Sequence, residues 1–434
     1  MNGLVMAAQL ILGLAILVLV HEFGHDIAAR MFKIRVDKFY IFFDIGKFKI
    51  WSRKIGDTEF GIGWLPFGGY CKIAGMIDES MDKEQMKQDP QPWEFRSKPA
   101  WQRLVVMIAG VVLNIVLGIL IFTMSHLVFT KQYLPVENAT DGIHAYEFAR
   151  VVGFKTGDHI IEINGKEVKR AEEVLSTRLY FGGEVTVLRN GERVVVDVPD
   201  TVYKYIGRGN LFIGYDNYPL HIESVPDSMN AWNAGLRTGD SMVLIENIPV
   251  STYGNFREIL KSKAGDTIQC LINRQSESLS LEIPVSSDGV IGILISKPNY
   301  ITKDYTFFSA MRYAYSDGFE AIYSNIKGFK MVFKGTEKAR DLAGPIGIAK
   351  VYGATWDWAR FWYITGLLSF ILAFINILPI PAFDGGHATF LLIEAVTRRK
   401  FSDRFMEITQ YIGLVIIMLL MTFIIGNDIV NLFR

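Results

Sequence analysis

The sequence has 434 residues, of which 50% are hydrophobic and 21% are charged. A chain of this length exceeds one ordinary domain, and so apolar a composition requires that the hydrophobic residues be concentrated in blocks. Lys plus Arg and Asp plus Glu number 45 each, which excludes the strong basic excess expected of a nucleic-acid-binding protein.

Four uncharged blocks are each close to the length of about 20 residues that a helix needs to cross a bilayer. They occupy residues 3–20, 104–129, 361–378 and 408–425. The first block lacks the preceding basic stretch and the following cleavage site of a signal peptide, so it predicts a retained helix.

Basic residues in the loops predict the orientation of these helices, because cytoplasmic loops are enriched in Lys and Arg. Between the first and second helices lie Arg30, Lys33, Arg35, Lys38, Lys47, Lys49, Arg53 and Lys54, and between the third and fourth lie Arg398, Arg399, Lys400 and Arg404. We therefore expect both loops in the cytoplasm. Both termini and the long segment between the second and third helices should lie outside it.

Residues 38–76 alternate apolar and polar side chains and are punctuated by glycine, which predicts strands beside the membrane helices. Residues 78–100 are polar and predict an exposed loop.

The long outer segment contains an internal repeat. The sequence GFKTGD at 153–158 recurs as GLRTGD at 235–240, and at the same offset Ile163 matches Ile245 and Val168 matches Val250. The two copies resemble PDZ domains, small β domains that carry a similar Gly-Asp turn before a buried strand. Neither copy shows a clear glycine-rich loop for binding a peptide carboxylate.

Residues 305–335 predict an amphipathic helical stretch with Phe307, Met311, Tyr315, Phe319 and Ile322 on one face. Such a stripe either packs inside the protein or lies along the membrane surface, and the sequence leaves both interpretations open.

The first apolar block ends in an HExxH motif formed by His21, Glu22 and His25. On a helix, residues four apart lie on one face, so both imidazoles can bind one metal ion while Glu22 reaches a water molecule. The alternative is a pair of buried histidines that bond to neighbouring groups. Ionisable residues within a membrane helix are costly and usually functional, which favours the metal site.

A catalytic zinc site needs a third protein ligand, and Asp384 in the motif NILPIPAFDGG is the best candidate. The prolines end the third helix, so Asp384 should lie on an irregular turn. His21 lies 18 residues after the start of the first block and Pro379 lies 18 residues after the start of the third. Both positions therefore lie about 27 Å from the outer end of their helices, measured along the helix axis, which is on the cytoplasmic side. Two alternatives remain, namely that Asp384 caps the next helix and that His387 is the ligand.

Together the HExxH motif, the NxxPxPxxDG motif that starts at Asn376, the intervening PDZ-like repeats and the segment AGPIGIA at 343–349 resemble the site-2 protease family, bacterial regulator of sigma-E protease type. The resemblance spans essentially the whole chain. It implies zinc bound by His21, His25 and Asp384, Glu22 as general base, and Asn376 as a residue that holds the substrate backbone.

The resemblance also implies cleavage, after a first cut by another protease, of single-pass membrane proteins such as anti-sigma factors or remnant signal peptides. It implies a location in the bacterial inner membrane, with the PDZ-like domains periplasmic. A substrate helix must unwind before cleavage, and its extended backbone could pair with an edge strand of the 38–76 region. Gly61 and Gly63 would permit close backbone approach there, or they only make turns.

The predicted fold is thus a polytopic α-helical membrane protein with four transmembrane helices, a membrane-associated β-region and two extracytoplasmic PDZ-like β domains. Its predicted parts are 1–130 (helices one and two with the β-region), 131–215 and 216–300 (PDZ-like domains), 301–345 (amphipathic juxtamembrane helices) and 346–434 (helices three and four).

Two other functions use the same features. A metal transporter or sensor could use the same ligands, but it should carry more polar residues across its helices than Asn114 and His126 in the second one. A non-proteolytic PDZ scaffold would have no need for Glu22.

Overall fold

The computed structural model describes residues 2–44, 48–66, 68–76, 89–129, 132–174, 179, 182–206, 210–275, 277–296, 300–302, 304–333 and 344–432. Several predicted features lie outside these ranges: Lys47, residues 78–88 of the polar loop, residues 334–335 of the amphipathic stretch, and Ala343.

The described helices are α1 (Asn2–Met31), α2 (Ala100–Val128), α3 (Glu147–Val152), α4 (Val202–Ile206), α5 (Asn230–Asn233), α6 (Tyr253–Ser262), α7 (Phe307–Phe333), α8 (Pro345–Tyr352), α9 (Trp358–Ile377), α10 (Asp384–Thr397) and α11 (Asp403–Leu432). Short 3-10 turns occupy Phe95–Ser97, Val136–Asn138 and Ala171–Glu173.

The described strands are β1 (Val36–Ile41), β2 (Lys49–Ile55), β3 (Thr58–Gly63), β4 (Tyr70–Ile73), β5 (Gln132–Tyr133), β6 (His144–Ala145), β7 (His159–Ile163), β8 (Lys166–Glu167), β9 (Gly183–Arg189), β10 (Glu192–Val198), β11 (Ile213–Gly214), β12 (Ile222–Ser224), β13 (Ser241–Ile245), β14 (Ile248–Pro249), β15 (Thr267–Arg274), β16 (Glu277–Pro284), β17 (Leu294–Ile295) and β18 (Ile301–Thr302). The chain divides into two compact units, Met1–Phe129 with Asp304–Arg434, and Thr130–Lys303.

Four helices of the described chain are long and apolar enough to cross a membrane: Gly3–Met31 in α1, Ala100–Val128 in α2, Trp358–Ile377 in α9 and Arg404–Val430 in α11. They overlap the four uncharged blocks, so the expected apolar helices are confirmed. α1 continues well beyond its apolar block, and the HExxH motif therefore lies inside the helix.

α2 is the central helix of the first unit and packs against α1, α7, α9 and α10. Its buried face carries Val106, Gly110, Asn114 and Gly118 at four-residue intervals. Small residues at this spacing let neighbouring side chains and backbones approach closely. The ring of Phe370 on α9, for example, lies directly over Gly118.

Strands β1 to β4 form one sheet in the order β2-β3-β1-β4, with β1 and β3 parallel and the other pairs antiparallel. Arg30 of α1 attaches this sheet to the helix, because it pairs with Asp26 at 2.8 Å and donates to Oγ1 of Thr58 at 2.9 Å. The outer strand β2 leaves Ile50 and Trp51 69% and 50% exposed, and contact of this strand with the membrane stays a prediction.

Gly61 and Gly63 lie in β3, which is paired on both sides, by β2 and β1. A side chain at Gly61 would collide with the ring of Tyr40, and one at Gly63 would collide with the backbone of Phe43. This position disagrees with the expectation that these glycines lie on an edge strand. It also disagrees with the alternative that they only make turns. Their observed role is to make room within the sheet.

The amphipathic helix α7 packs against α2 and α9. Its buried residues include Ala310, Ala314, Gly318 and Ala321, whereas Tyr315 and Phe319 of the aromatic stripe are 55% and 44% exposed. The small side chains thus form most of the packed face. Of the stripe, Ile322 packs against the cluster of Ile121, Phe122, Ala314 and Phe370, so that end of the stripe is packed inside this unit. Contact of the stripe with the membrane surface stays a prediction.

The second unit contains two β lobes built on similar four-stranded sheets, β10-β9-β7-β8 and β14-β13-β15-β16. Ile163 and Ile245, matched by the repeat, are 0% exposed in the cores of their respective lobes. α6 of the second lobe contacts the first lobe, since Glu258 accepts from Arg150 at 2.7 Å and faces Nε2 of His144 at 3.2 Å.

The repeated Gly-Asp turns have the same structural role in both lobes. Asp158 binds Arg189 at 2.7 Å, and Asp240 binds Arg274 at 2.7 Å. Burial acts to raise the pKa of Asp240, but hydrogen bonds from Arg274 and from the backbone of Arg237 outweigh it and hold that pKa below its ordinary value. Comparison of the repeats at one fixed offset misses these arginines, because their spacing differs from that of the turns.

Candidate active site

α1 places His21 and His25 on one buried face, where they are 7% and 5% exposed. Their rings meet edge to face with centroids 4.9 Å apart. Glu22 is half-buried, and its carboxylate accepts a hydrogen bond from the backbone N–H of Cys71 in β4. The motif therefore presents two imidazoles to one point and a carboxylate beside the sheet.

The third residue, Asp384, comes from the other end of the chain. α9 ends at Ile377, the two prolines occupy the following turn, and Asp384 is the first residue of α10. This differs from the expected irregular turn, since Asp384 already belongs to the helix. The N-cap is Phe383, without a side-chain cap, so the Asp384 carboxylate does not cap α10 and faces the histidines instead.

The ligand-type atoms of these three residues converge. Oδ2 of Asp384 lies 3.0 Å from Nε2 of His21 and 3.3 Å from Nε2 of His25, and the two Nε2 atoms are 3.3 Å apart. Tetrahedral zinc with bonds of about 2.0–2.1 Å requires ligand atoms separated by about 3.3 Å. Two neutral imidazoles and one carboxylate leave a fourth position open, so the donor set fits a catalytic zinc ion.

Helix α2 forms the wall behind the imidazoles. The backbone carbonyl of Val106 accepts from Nδ1 of His25 at 2.8 Å, which leaves the lone pair of its Nε2 directed at Asp384. The side-chain amide of Asn114 lies 3.2 Å from Nδ1 of His21. Gly110, midway between them, leaves the space that the two rings fill.

Of the other predicted site residues, the structure places one beside the histidines and the rest further away. Asn376 lies at the site, with its amide nitrogen 3.3 Å from Nε2 of His21. His387 is one turn further along α10, where it hydrogen-bonds to Gln410, and the metal-type cluster found among the described residues does not include it. Gly61 and Gly63 lie inside the sheet, and the edge strand beside Glu22 is β4.

The sequence alone does not indicate that Val106 and Gly110 line the site. It also does not indicate that β4 contacts Glu22 through the backbone of Cys71. The sequence marks Asn114 only as a polar residue in an apolar helix. Val106, Gly110 and Asn114 follow one another at four-residue intervals, which is a weak signal of a shared helix face. Only helix packing shows that this face of α2 meets the HExxH motif.

Comparison with known proteins agrees with this geometry. The sequence matches Peptidase family M50 over residues 9–420, which include both HExxH and Asp384. The chain is 29% identical to "Regulator of sigma-E protease RseP" of Escherichia coli (strain K12), with 97% of each chain covered.

Two further relatives carry the name "Putative zinc metalloprotease". They come from Vibrio cholerae serotype O1, with 28% identity, and from Xylella fastidiosa (strain 9a5c), with 29% identity. Each alignment covers 97% of this chain and 98% of the relative. The chain therefore belongs to peptidase family M50, the site-2 proteases, and is a zinc metalloprotease of the membrane.

Proposed function

We propose that this enzyme cleaves transmembrane segments of single-pass membrane proteins after another protease has made a first cut. The observation that carries the proposal is the convergence of Asp384 with His21 and His25, which lie in the apolar helix α1 with Glu22 beside them. Anti-sigma factors are the first substrate class to test, because the E. coli relative is named a regulator of sigma-E, and remnant signal peptides are the second.

In this proposal His21, His25 and Asp384 hold zinc, which when bound makes water more acidic and polarises a carbonyl. Glu22 accepts the proton of the attacking water and passes it to the departing amine. The carbonyl of Val106 keeps the Nε2 lone pair of His25 directed at the site. Asn376, whose amide nitrogen lies 3.3 Å from Nε2 of His21, would donate to the substrate backbone.

The substrate backbone needs hydrogen-bond partners once it is unwound, and an edge strand can supply them. β4 pairs with β1 on one side, and in the described sheet it is the last strand on the other. The contact between Cys71 and Glu22 puts β4 next to the proposed base. We therefore assign the substrate-pairing role to β4, and give Gly61 and Gly63 only the indirect role of shaping the sheet beneath it.

The two β lobes, interpreted as PDZ-like domains, would act as a size filter. Exclusion of bulky ectodomains requires only mass and position, which fits the absence of a clear carboxylate-binding loop in the sequence. The contacts of Glu258 with Arg150 and His144 support the idea that the lobes act as one body.

The proposed location is the bacterial inner membrane, in contact with lipid, with both termini and both lobes in the periplasm. The carboxyl-terminal part of α1 would then place the zinc site toward the cytoplasmic side. The support for this orientation is the distribution of Lys and Arg in the two short loops.

Quantitative proteomics of membranes from a strain that carries Glu22→Gln tests the substrate class. Fragments of single-pass proteins that have lost their ectodomains should accumulate relative to a strain with the wild-type enzyme. A strain with Glu167→Gln, a change in an exposed surface ion pair, serves as the matched control. Identical fragment profiles in the mutant and wild-type strains would contradict the proposed function.

A further inference from the structure

The side-chain amide of Asn114 contacts a ring nitrogen of His21 that no step of the proposed reaction uses. Asn114 is 0% exposed on α2, and its amide nitrogen as placed lies 3.2 Å from Nδ1 of His21. Its Oδ1 is buried and has no hydrogen-bond partner among the described residues. In this orientation the amide would have to donate to an unprotonated Nδ1.

That arrangement conflicts with metal binding. Nε2 of His21 faces Asp384 and His25, so it is the atom that would bind zinc and must carry a lone pair. In a neutral imidazole the proton then resides on Nδ1, which becomes a donor and needs an acceptor. A half-turn of the amide exchanges its nitrogen and oxygen positions and brings Oδ1 of Asn114 to Nδ1 of His21.

We propose that Asn114 is a positioning residue that accepts the Nδ1–H of His21 through Oδ1 and so fixes the tautomer and ring orientation for zinc. The carbonyl of Val106 does the same for His25 at 2.8 Å. Metal-binding histidines generally donate their second ring nitrogen to such an acceptor. One face of α2 thus orients both imidazoles.

The position of Asn114 is itself well defined. Oγ of Ser369 on α9 donates to the backbone carbonyl of Asn114 at 2.7 Å, in the buried contact between α2 and α9. The side chain therefore extends from a part of the helix that is held by its neighbour. The inference rests on the proposed zinc site, whose third ligand follows α9.

Zinc retention by the purified full-length enzyme tests the proposal without any activity measurement. The zinc content is measured across a series of chelator concentrations for wild type, Asn114→Leu and Asn114→Asp. Leucine has a similar size and no acceptor, so zinc binding should weaken by about 10- to 100-fold. Aspartate can only accept, so Asn114→Asp should retain zinc within a few-fold of wild type.

Thr123→Val is the matched control, because Thr123 is a buried polar residue of the same helix whose hydroxyl donates to the backbone carbonyl of Ile119, four residues earlier, and not to a zinc ligand. It should bind zinc as wild type does. Wild-type zinc affinity in Asn114→Leu would overturn the inference while leaving the zinc site intact. So would an equal loss in Asn114→Asp and Asn114→Leu, since a donor role predicts that aspartate fails. Wild-type enzyme without zinc would overturn the metal site and the inference together.

Discussion

Gly110 of α2 lies directly against the imidazole of His25: a methyl group added at its Cα would come within 2.6 Å of Nε2 of His25. The Nε2 atom is the one directed at Asp384, so this side of the zinc site has no room for a side chain. The lack of a side chain at Gly110 thus makes room for both imidazole rings.

Gly110→Ala should therefore reduce zinc occupancy at least tenfold at a limiting chelator concentration, because the methyl group displaces the rings by more than a metal site tolerates. The control is Gly118→Ala, the same change two turns further along α2, where the atoms nearest to the methyl group belong to the ring of Phe370, at 2.7 Å, and not to a metal ligand. It should lower thermal stability and leave zinc bound. Equal zinc content in the two variants would contradict the packing argument.

Glu22→Gln should abolish cleavage and keep zinc stoichiometric. The amide cannot take a proton from water, whereas His21, His25 and Asp384 are unchanged. Metal analysis of the purified enzyme is paired with an assay on a trimmed single-pass substrate. Turnover close to that of the wild type would show that another group is the base.

Asp384→Asn should lower both zinc occupancy and activity, because a neutral amide is a poor substitute for an anionic ligand. His387→Ala is the matched change one turn along α10, and it should leave zinc in place. The reverse result, with zinc retained in Asp384→Asn and lost in His387→Ala, would mean that the third ligand is His387.

Asp240→Asn should destabilise the second β lobe by more than the loss of an exposed ion pair does, because it removes the anionic partner of Arg274 and the acceptor of the Arg237 backbone N–H. The folded-state pKa of Asp240 is lowered, so the wild-type advantage is present above the ordinary aspartate pKa and disappears as the pH falls through the folded value. Hydrogen exchange of β13 and β15 in the full-length enzyme measures it.

The control for that experiment is Glu167→Gln, which removes an exposed ion pair with Lys169 and should change stability by less than about 1 kcal/mol. If Asp240→Asn has the same small effect, the repeated turn does not depend on the ion pair between Asp240 and Arg274.

Deletion of residues 140–290, replaced by a short linker, tests the size filter. An untrimmed model substrate should become cleavable, while a trimmed one should be cut at a rate similar to that of the intact enzyme. Loss of cleavage of both substrates with zinc still bound would instead indicate that the lobes present the substrate or support the helices.

The sequence alone was sufficient for the features that depend on local chemistry. Four blocks without charge become helices because their backbone groups must pair internally in lipid. HExxH places His21 and His25 on one face because a helix repeats every 3.6 residues. The repeat marked a turn and a following isoleucine, Ile163 or Ile245, that is buried in each β lobe.

Tertiary structure decided everything that depends on which surfaces meet. Asp384 reaches His21 only because α9 and α10 pack against α2, and no local pattern encodes that α2 brings Asn114 and Val106 to the two imidazoles. The sequence also did not indicate the order of the strands. The alternation of apolar and polar residues predicted strands, but the pairing of the strands places Gly61 and Gly63 inside the sheet and β4 at its edge. Periodicity specifies which face of an element is buried, whereas its partner is selected by side-chain shape and by the hydrogen bonds that remain to be satisfied.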